Sequence, residues 1–136
     1  MKAEGGERSV EVWVAKPAPA GEVEGLLDEA ERARLRRFRF ECDRNSYASA
    51  HALTRQLLSS LARDVAPEAW RFEAAEFGKP HVVARESEST PRFNLSHTRG
   101  LVAAAASAER VEVGVDVEAI GTLRLAQELR QRVLSP

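Results

Sequence analysis

FNLSHTRGLVAAAASAERVEVGVDVE, residues Phe93 to Glu118, is the stretch on which the fold turns. Its opening reads as a polar turn. A strand of small apolar residues and a short connection follow, and Val111–Glu118 alternates strictly. Val111, Val113, Val115 and Val117 fall on one face of that second strand, with Glu112, Gly114, Asp116 and Glu118 on the other. Side chains two apart on a strand point the same way, with Cα atoms roughly 6.5–7 Å apart. Asp116 and Glu118 could therefore hold one hard cation between them.

A hairpin turning at Ala108-Glu109-Arg110 would set Ser107 opposite Val111, Val102 opposite Asp116 and Gly100 opposite Glu118. Ser96 and His97 then lie just beyond Gly100, at the carboxylate end of the ribbon. A hydroxyl, an imidazole and two carboxylates are thus expected near one another.

Working outward, 136 residues suit one domain and not two. Net charge is −1, from 20 basic and 21 acidic residues, so no overall field calls for nucleic acid. No apolar run has the length of a membrane span, and the polar MKAEGGERS start is unlike a signal peptide. The single cysteine, Cys42, precludes an internal disulfide and fits a reducing compartment. A soluble cytoplasmic protein, binding neither nucleic acid nor membrane, is the expectation.

Upstream, Ser9–Ala15 alternates as a strand and is closed by a Pro/Gly-rich loop. Helical spacing over Glu22–Phe38 predicts one helix, whose C-terminal half carries Arg32, Arg34, Arg36, Arg37 and Arg39. Bases there favour the helix dipole and ordinarily form a solvated face. A second helix is expected over Cys42–Ala66, burying Tyr47, Ala50, Leu53, Thr54, Leu57, Leu58 and Leu61, with His51 at the core edge or in solvent. Trp70–Phe77 reads as a strand, Gly78-Lys79-Pro80 as a turn, and His81-Val82-Val83 as a short apolar run. After Glu118, Thr122–Leu134 resumes helical spacing. Ser135-Pro136 has the form of a helix start, a serine cap followed by a proline, so a further element is expected there. The residues themselves suggest an α+β fold, a small antiparallel sheet packed on the long helices of residues 22–66.

Each polar motif is weak alone. Alternating acids are usually the wet face of a strand, and Gly-Lys-Pro is usually a turn. Their chemistry nevertheless agrees: lysine and histidine suit phosphate oxygens, and paired carboxylates suit a magnesium ion that shares phosphate ligands. No phosphate-cradling glycine loop, zinc spacing or nucleophile elbow is present.

In order and spacing, Phe77-Gly78-Lys79-Pro80, Phe93-Asn94-Leu95-Ser96-His97 and Gly114-Val115-Asp116-Val117-Glu118 resemble the 4′-phosphopantetheinyl transferases. The likeness is to the surfactin-synthetase-activating class, whose members have two similar halves; Arg36-Arg37-Phe38 before a long helix also fits. It covers nearly the whole chain but corresponds to the first half of the family's fold and the start of the second. It implies one half of a pseudo-twofold architecture, with a transferase half-domain over residues 1–118 and the start of the second half over 119–136. It also implies transfer of 4′-phosphopantetheine from coenzyme A to a serine of an acyl or peptidyl carrier protein, releasing 3′,5′-ADP. By position, Lys79, Ser96 and His97 would contact coenzyme A phosphates, with Arg34 and Tyr47 as further coenzyme A contacts. Asp116 and Glu118 would bind Mg2+, and the catalytic set would be His97, Asp116 and Glu118.

The family's third motif, a tryptophan followed closely by Lys-Glu and a later lysine, does not occur; neither Trp13 nor Trp70 has Lys-Glu after it. Two expectations follow from different classes: an incomplete portion of the transferase, or a non-catalytic module binding coenzyme A or a carrier protein. A half-fold would also leave an apolar face around Val113, Val115 and Val117, or on the helix after Thr122, and self-association is one way to cover it.

Overall fold

A computed structural model describes residues 9–74, 80–83, 90–109 and 111–118. The expectations for Gly78 and Lys79, for the strand beyond Ala74, and for residues 119–136 lie outside them.

The architecture is α+β, as the residues suggest. Strand β1 (Glu11–Ala15) is followed by the one-turn helix α1 (Ala20–Val23), a 3-10 turn (Glu24–Leu26) and helix α2 (Glu29–Leu35). The long helix α3 (Glu41–Leu61) leads through a 3-10 turn (Pro67–Ala69) to β2 (Phe72–Ala74) and β3 (Pro80–Val82), then β4 (Arg92–Thr98) and β5 (Leu101–Ser107). The strands form an antiparallel sheet in the order β1-β5-β4 and a separate antiparallel pair, β2-β3.

The single helix expected over Glu22–Phe38 is two helices. Leu27 is extended, and Asp28 starts α2 with a capping box: its carboxylate accepts from the Glu31 N–H while the Glu31 carboxylate accepts from the Asp28 N–H. Reciprocal capping satisfies donors that a continuous helix would have bonded internally, so a new N-terminus costs little here. In α3 the expected Tyr47, Ala50, Thr54, Leu57 and Leu58 are buried while Leu53 and Leu61 are half-buried, and burial extends further round the helix to Ser46, Ala48, Ser49, Ala52 and Arg55. The serines and alanines among them let neighbouring backbone approach: Ser49 both accepts from the Ala18 N–H and donates to the Ala18 carbonyl, and Ser46 donates to the Thr98 carbonyl.

The decisive stretch folds differently from its first reading. Phe93–Thr98, read as a turn, is most of strand β4, and the turn is Arg99-Gly100, with Thr98 paired to Leu101 and Gly100 at φ 86°. That left-handed conformation is what glycine supplies without strain. Leu101–Ser107 and Val111–Glu118 therefore do not pair as a hairpin. Both edges of β5 are already occupied, by β1 and β4, so no register of residues 111–118 against it is available. Residues 111–118 instead run alongside β4 in the same direction, outside any strand ladder. They are tied there by Arg92 to Glu112 at 3.1 Å, by the Val115 N–H to Asn94 Oδ1 at 2.8 Å, and by the Val117 N–H to Ser96 Oγ at 3.1 Å. The expected alternation survives this move: Val113 is buried and Val111, Val115 and Val117 half-buried, while Glu112, Gly114, Asp116 and Glu118 are exposed.

Central β5 is buried from Val102 to Ser107. Its Ala104 and Ala106 face α3 and join Leu57, Leu58, Trp70, Val82 and Phe93 in the main core. A second cluster gathers Leu27, Leu35, Tyr47, Ala48 and Ala52 between α2 and α3.

Candidate functional site

Strand β4 divides the polar residues between its two faces. Phe93, Leu95 and His97 alternate on the side of α3, whereas Asn94 and Ser96 point to the opposite side.

On the α3 side lies a cleft of about 220 Å³. Helix α2 contributes its cap Asp28, with Ala30, Glu31 and Arg34, and α3 contributes Tyr47, His51 and Thr54. Phe72, Pro80, Phe93 and Leu95 close the strand side. Behind the polar wall is an ion network. Arg55, with no exposed surface, sends Nε and Nη2 to Glu31 Oε1 at 2.9 and 2.6 Å, and Nη2 to Asp28 Oδ2 at 3.0 Å. Its Nη1 donates to the carbonyls of Pro67 and Trp70. The other Glu31 oxygen meets His51 Nδ1 at 2.8 Å. Burial alone would raise the Glu31 carboxyl, but hydrogen bonds from His51 and the Asp28 N–H, with the charges of His51 and Arg55, outweigh it and hold the group below its ordinary 4.5. An ionised Glu31 therefore anchors His51 by one ring nitrogen beside the cleft.

Tyr47 packs between Phe38 and His51, with ring centroids 5.2 and 4.2 Å away. Burial, and next the Glu31 charge, push its phenol up to about 12, so it is neutral throughout the physiological range. Partial desolvation, then the His51 charge, lower His97 from 6.5 against an opposing pull from Asp43. An uncharged His97 can accept or donate one hydrogen bond at neutral pH.

On the opposite face, Ser96 Oγ donates to Asp116 Oδ1 at 3.1 Å while accepting the Val117 N–H. Asp116 and Glu118 are both exposed on the acid side of their segment. Two hard carboxylates suit a cation that completes its shell with water and phosphate oxygens. Among the described residues no group of three or more His, Cys, Asp or Glu forms a closed metal cage.

The expected grouping thus separates into two. Ser96 and Asp116 are in contact, and Arg34 and Tyr47 line one cleft. His97, adjacent to Ser96 in the chain, projects from the other face of β4, toward His51. Lys79 lies outside the described residues. The sequence reading missed Glu31 and Arg55, and it placed His51 at the core edge without its carboxylate partner. One signal was available: Asp28-x-x-Glu31 is the spacing of a capping box. Nothing local pointed to Arg55, which meets Asp28 and Glu31 from 27 and 24 residues away.

Comparison with known proteins supplies the context for this geometry. A family profile described as "4′-phosphopantetheinyl transferase, N-terminal" matches residues 12–109. A phosphopantetheinyl transferase of Thraustochytrium sp. is 36% identical over 105 residues, covering 77% of this chain and 35% of that protein. The 4′-phosphopantetheinyl transferase HetI of Nostoc sp. is 28% identical over 131 residues, covering 93% of this chain and 54% of that protein. The chain thus spans about a third to a half of the length of these curated relatives. The matched residues run from β1 through β5, the region that builds the cleft and β4, and the chain belongs to the 4′-phosphopantetheinyl transferase family, matching its N-terminal portion.

Proposed function

We propose that this chain provides the coenzyme A-binding half of a magnesium-dependent 4′-phosphopantetheinyl transferase acting on a serine of an acyl or peptidyl carrier protein. The observation that carries the reading is the Ser96–Asp116 hydrogen bond of 3.1 Å. It joins the two motifs to which phosphate binding and metal binding are assigned, although 20 residues separate them. Asp116 and Glu118 would hold Mg2+, which when bound neutralises charge developing on the pyrophosphate. Ser96, His97 and Lys79 are assigned to coenzyme A phosphates, and Arg34 and Tyr47 to further contacts with the same molecule. In the reaction, the carrier serine oxygen forms a bond to the phosphorus bearing pantetheine, the pyrophosphate P–O bond breaks, 3′,5′-ADP departs, and the serine proton passes to a base. His97, Asp116 and Glu118 are the residues of this chain assigned to that chemistry, His97 from the face of β4 opposite to Asp116. Residues 1–118 would form the half-domain and 119–136 the start of the second half.

A second reading is a module that binds coenzyme A or a carrier protein without transfer. One experiment separates the two. The protein is incubated with coenzyme A, Mg2+ and an apo-carrier protein, and the carrier is weighed by mass spectrometry, with coenzyme A affinity measured by calorimetry in parallel. Coenzyme A binding with no mass gain supports the module. A phosphopantetheine mass gain shows that this chain suffices for transfer. Absence of both overturns the coenzyme A reading.

A further inference from the structure

The corner between α2 and α3, Arg36-Arg37-Phe38-Arg39-Phe40, is not part of the cleft lining. Phe40 is 57% exposed, the largest exposure among the large apolar side chains of the described residues. Arg36, Arg37 and Arg39, just before it in the chain, are exposed, and the Arg39 guanidinium stands 5.7 Å over the Phe40 ring. No ion pair engages these three arginines among the described residues. The corner is nonetheless held in shape: Arg44 Nη1 donates to the carbonyls of Phe38 and Arg39 at 3.0 and 3.1 Å, and the Arg37 N–H bonds the Arg34 carbonyl. Glu41 and Asp43 follow in the first turn of α3, where acids suit the helix N-terminus. In a chain of net charge −1, five arginines within residues 32–39 make a local positive pole.

An exposed aromatic beside exposed guanidinium groups has the composition of a binding hot spot, in which the ring fills an apolar socket and the cations meet carboxylates. The corner is also coupled to the cleft, because Phe38 packs on Tyr47 at 5.2 Å and Tyr47 is a cleft wall. A macromolecule seated on Phe40 would therefore engage a corner whose Phe38 packs directly on a wall of the cleft.

We propose that the Arg36–Phe40 corner is the docking surface for the acceptor carrier protein, engaged through an acidic face of that protein that carries an apolar socket for Phe40. This rests on the transferase reading for the identity of the partner. The three free arginines would steer and orient the carrier, and Phe40 would fix its register.

The test uses the protein with an apo-carrier protein, and coenzyme A as a separate probe, both titrated by calorimetry at two salt concentrations. The variants are Phe40→Ser and the combined Arg36→Glu, Arg37→Glu, Arg39→Glu. All four side chains are exposed, so the folded state should persist, and circular dichroism melting checks this. Each variant is expected to weaken carrier binding by about tenfold or more, the scale of a hot-spot truncation. Coenzyme A affinity should be unchanged, and raised salt should weaken the wild type more than the triple variant. Unaltered carrier affinity in both variants overturns the proposal. An equal loss of carrier and coenzyme A affinity also overturns it, because the patch would then serve the nucleotide. A wild type that binds coenzyme A but no carrier overturns the docking proposal alone, whereas one that binds neither overturns the proposed function as well.

Discussion

Arg55 and Glu31 form a buried ion pair at 2.6 Å, and the same arginine nitrogen reaches Asp28 at 3.0 Å, so one guanidinium ties α3 to the cap of α2. Removing one partner of a buried pair leaves the other charge uncompensated, which typically costs about 3–5 kcal/mol. Arg55→Met should show a loss of that order in urea unfolding, since it also strands the carbonyls of Pro67 and Trp70. Adding Glu31→Leu should recover part of the loss, because the pair as a whole is worth much less than either half. A single variant within about 1 kcal/mol of wild type would mean that water reaches the site.

The same carboxyl links stability to acid pH. Glu31 titrates below its ordinary 4.5 in the folded chain, so its stabilisation is present above about pH 4.5 and is lost as the pH falls toward the lower folded value. Urea midpoints measured from pH 6 downward should therefore drop more steeply in wild type than in Glu31→Gln, which has no proton to take up. Parallel curves would remove Glu31 from the acid transition.

Tyr47 is the only tyrosine in the chain, so phenolate absorbance reports on it alone. Ordinary ionisation near 10 should be missing from the folded protein and appear only near 12, or together with unfolding. The sign for stability is the reverse of that for Glu31. The folded phenol has the raised value, so its contribution is full below pH 10 and is lost as the pH rises toward 12. A reversible absorbance step at pH 10 with the far-ultraviolet signal intact would mean that the Phe38–Tyr47–His51 stack is open to solvent.

What the sequence disclosed follows from the reach of each interaction. Periodicity within α3 and alternation along residues 111–118 are local, and the burial of Leu57, Leu58 and Val113 is in keeping with them. The partner of β5 is not a local property. Small alanines accept strands on both edges equally well, and β1, some 90 residues earlier, takes the edge that a simple hairpin would have given to Val111–Glu118. The polar look of Asn94-Leu95-Ser96-His97 concealed a strand because its outward positions hold backbone-binding side chains: Asn94 and Ser96 supply acceptors where a ladder would have supplied carbonyls. That substitution also explains the two faces of the site. A strand sends neighbours to opposite sides, so Ser96 and His97 could not both meet Asp116.

Ser96 gives the sharpest test of the cation assignment, because its hydroxyl does two things at once. It accepts the Val117 N–H and donates to Asp116 Oδ1, both at 3.1 Å, fixing the acid segment against β4. Asp116→Asn can keep a hydrogen bond from Ser96 while removing the charge that a cation needs. Ser96→Ala keeps the charge but releases both tethers, each worth about 1 kcal/mol. In calorimetric titrations of coenzyme A with and without Mg2+, wild type should bind more tightly with the cation. Asp116→Asn should erase that difference, and Ser96→Ala should reduce it by about fivefold to tenfold through looser positioning. The metal-free affinity should be nearly equal in wild type and Asp116→Asn, which separates loss of the cation from loss of the phosphate contacts. If Asp116→Asn retains the full magnesium effect, the carboxylate pair is the wet face of its segment and the cation sits elsewhere.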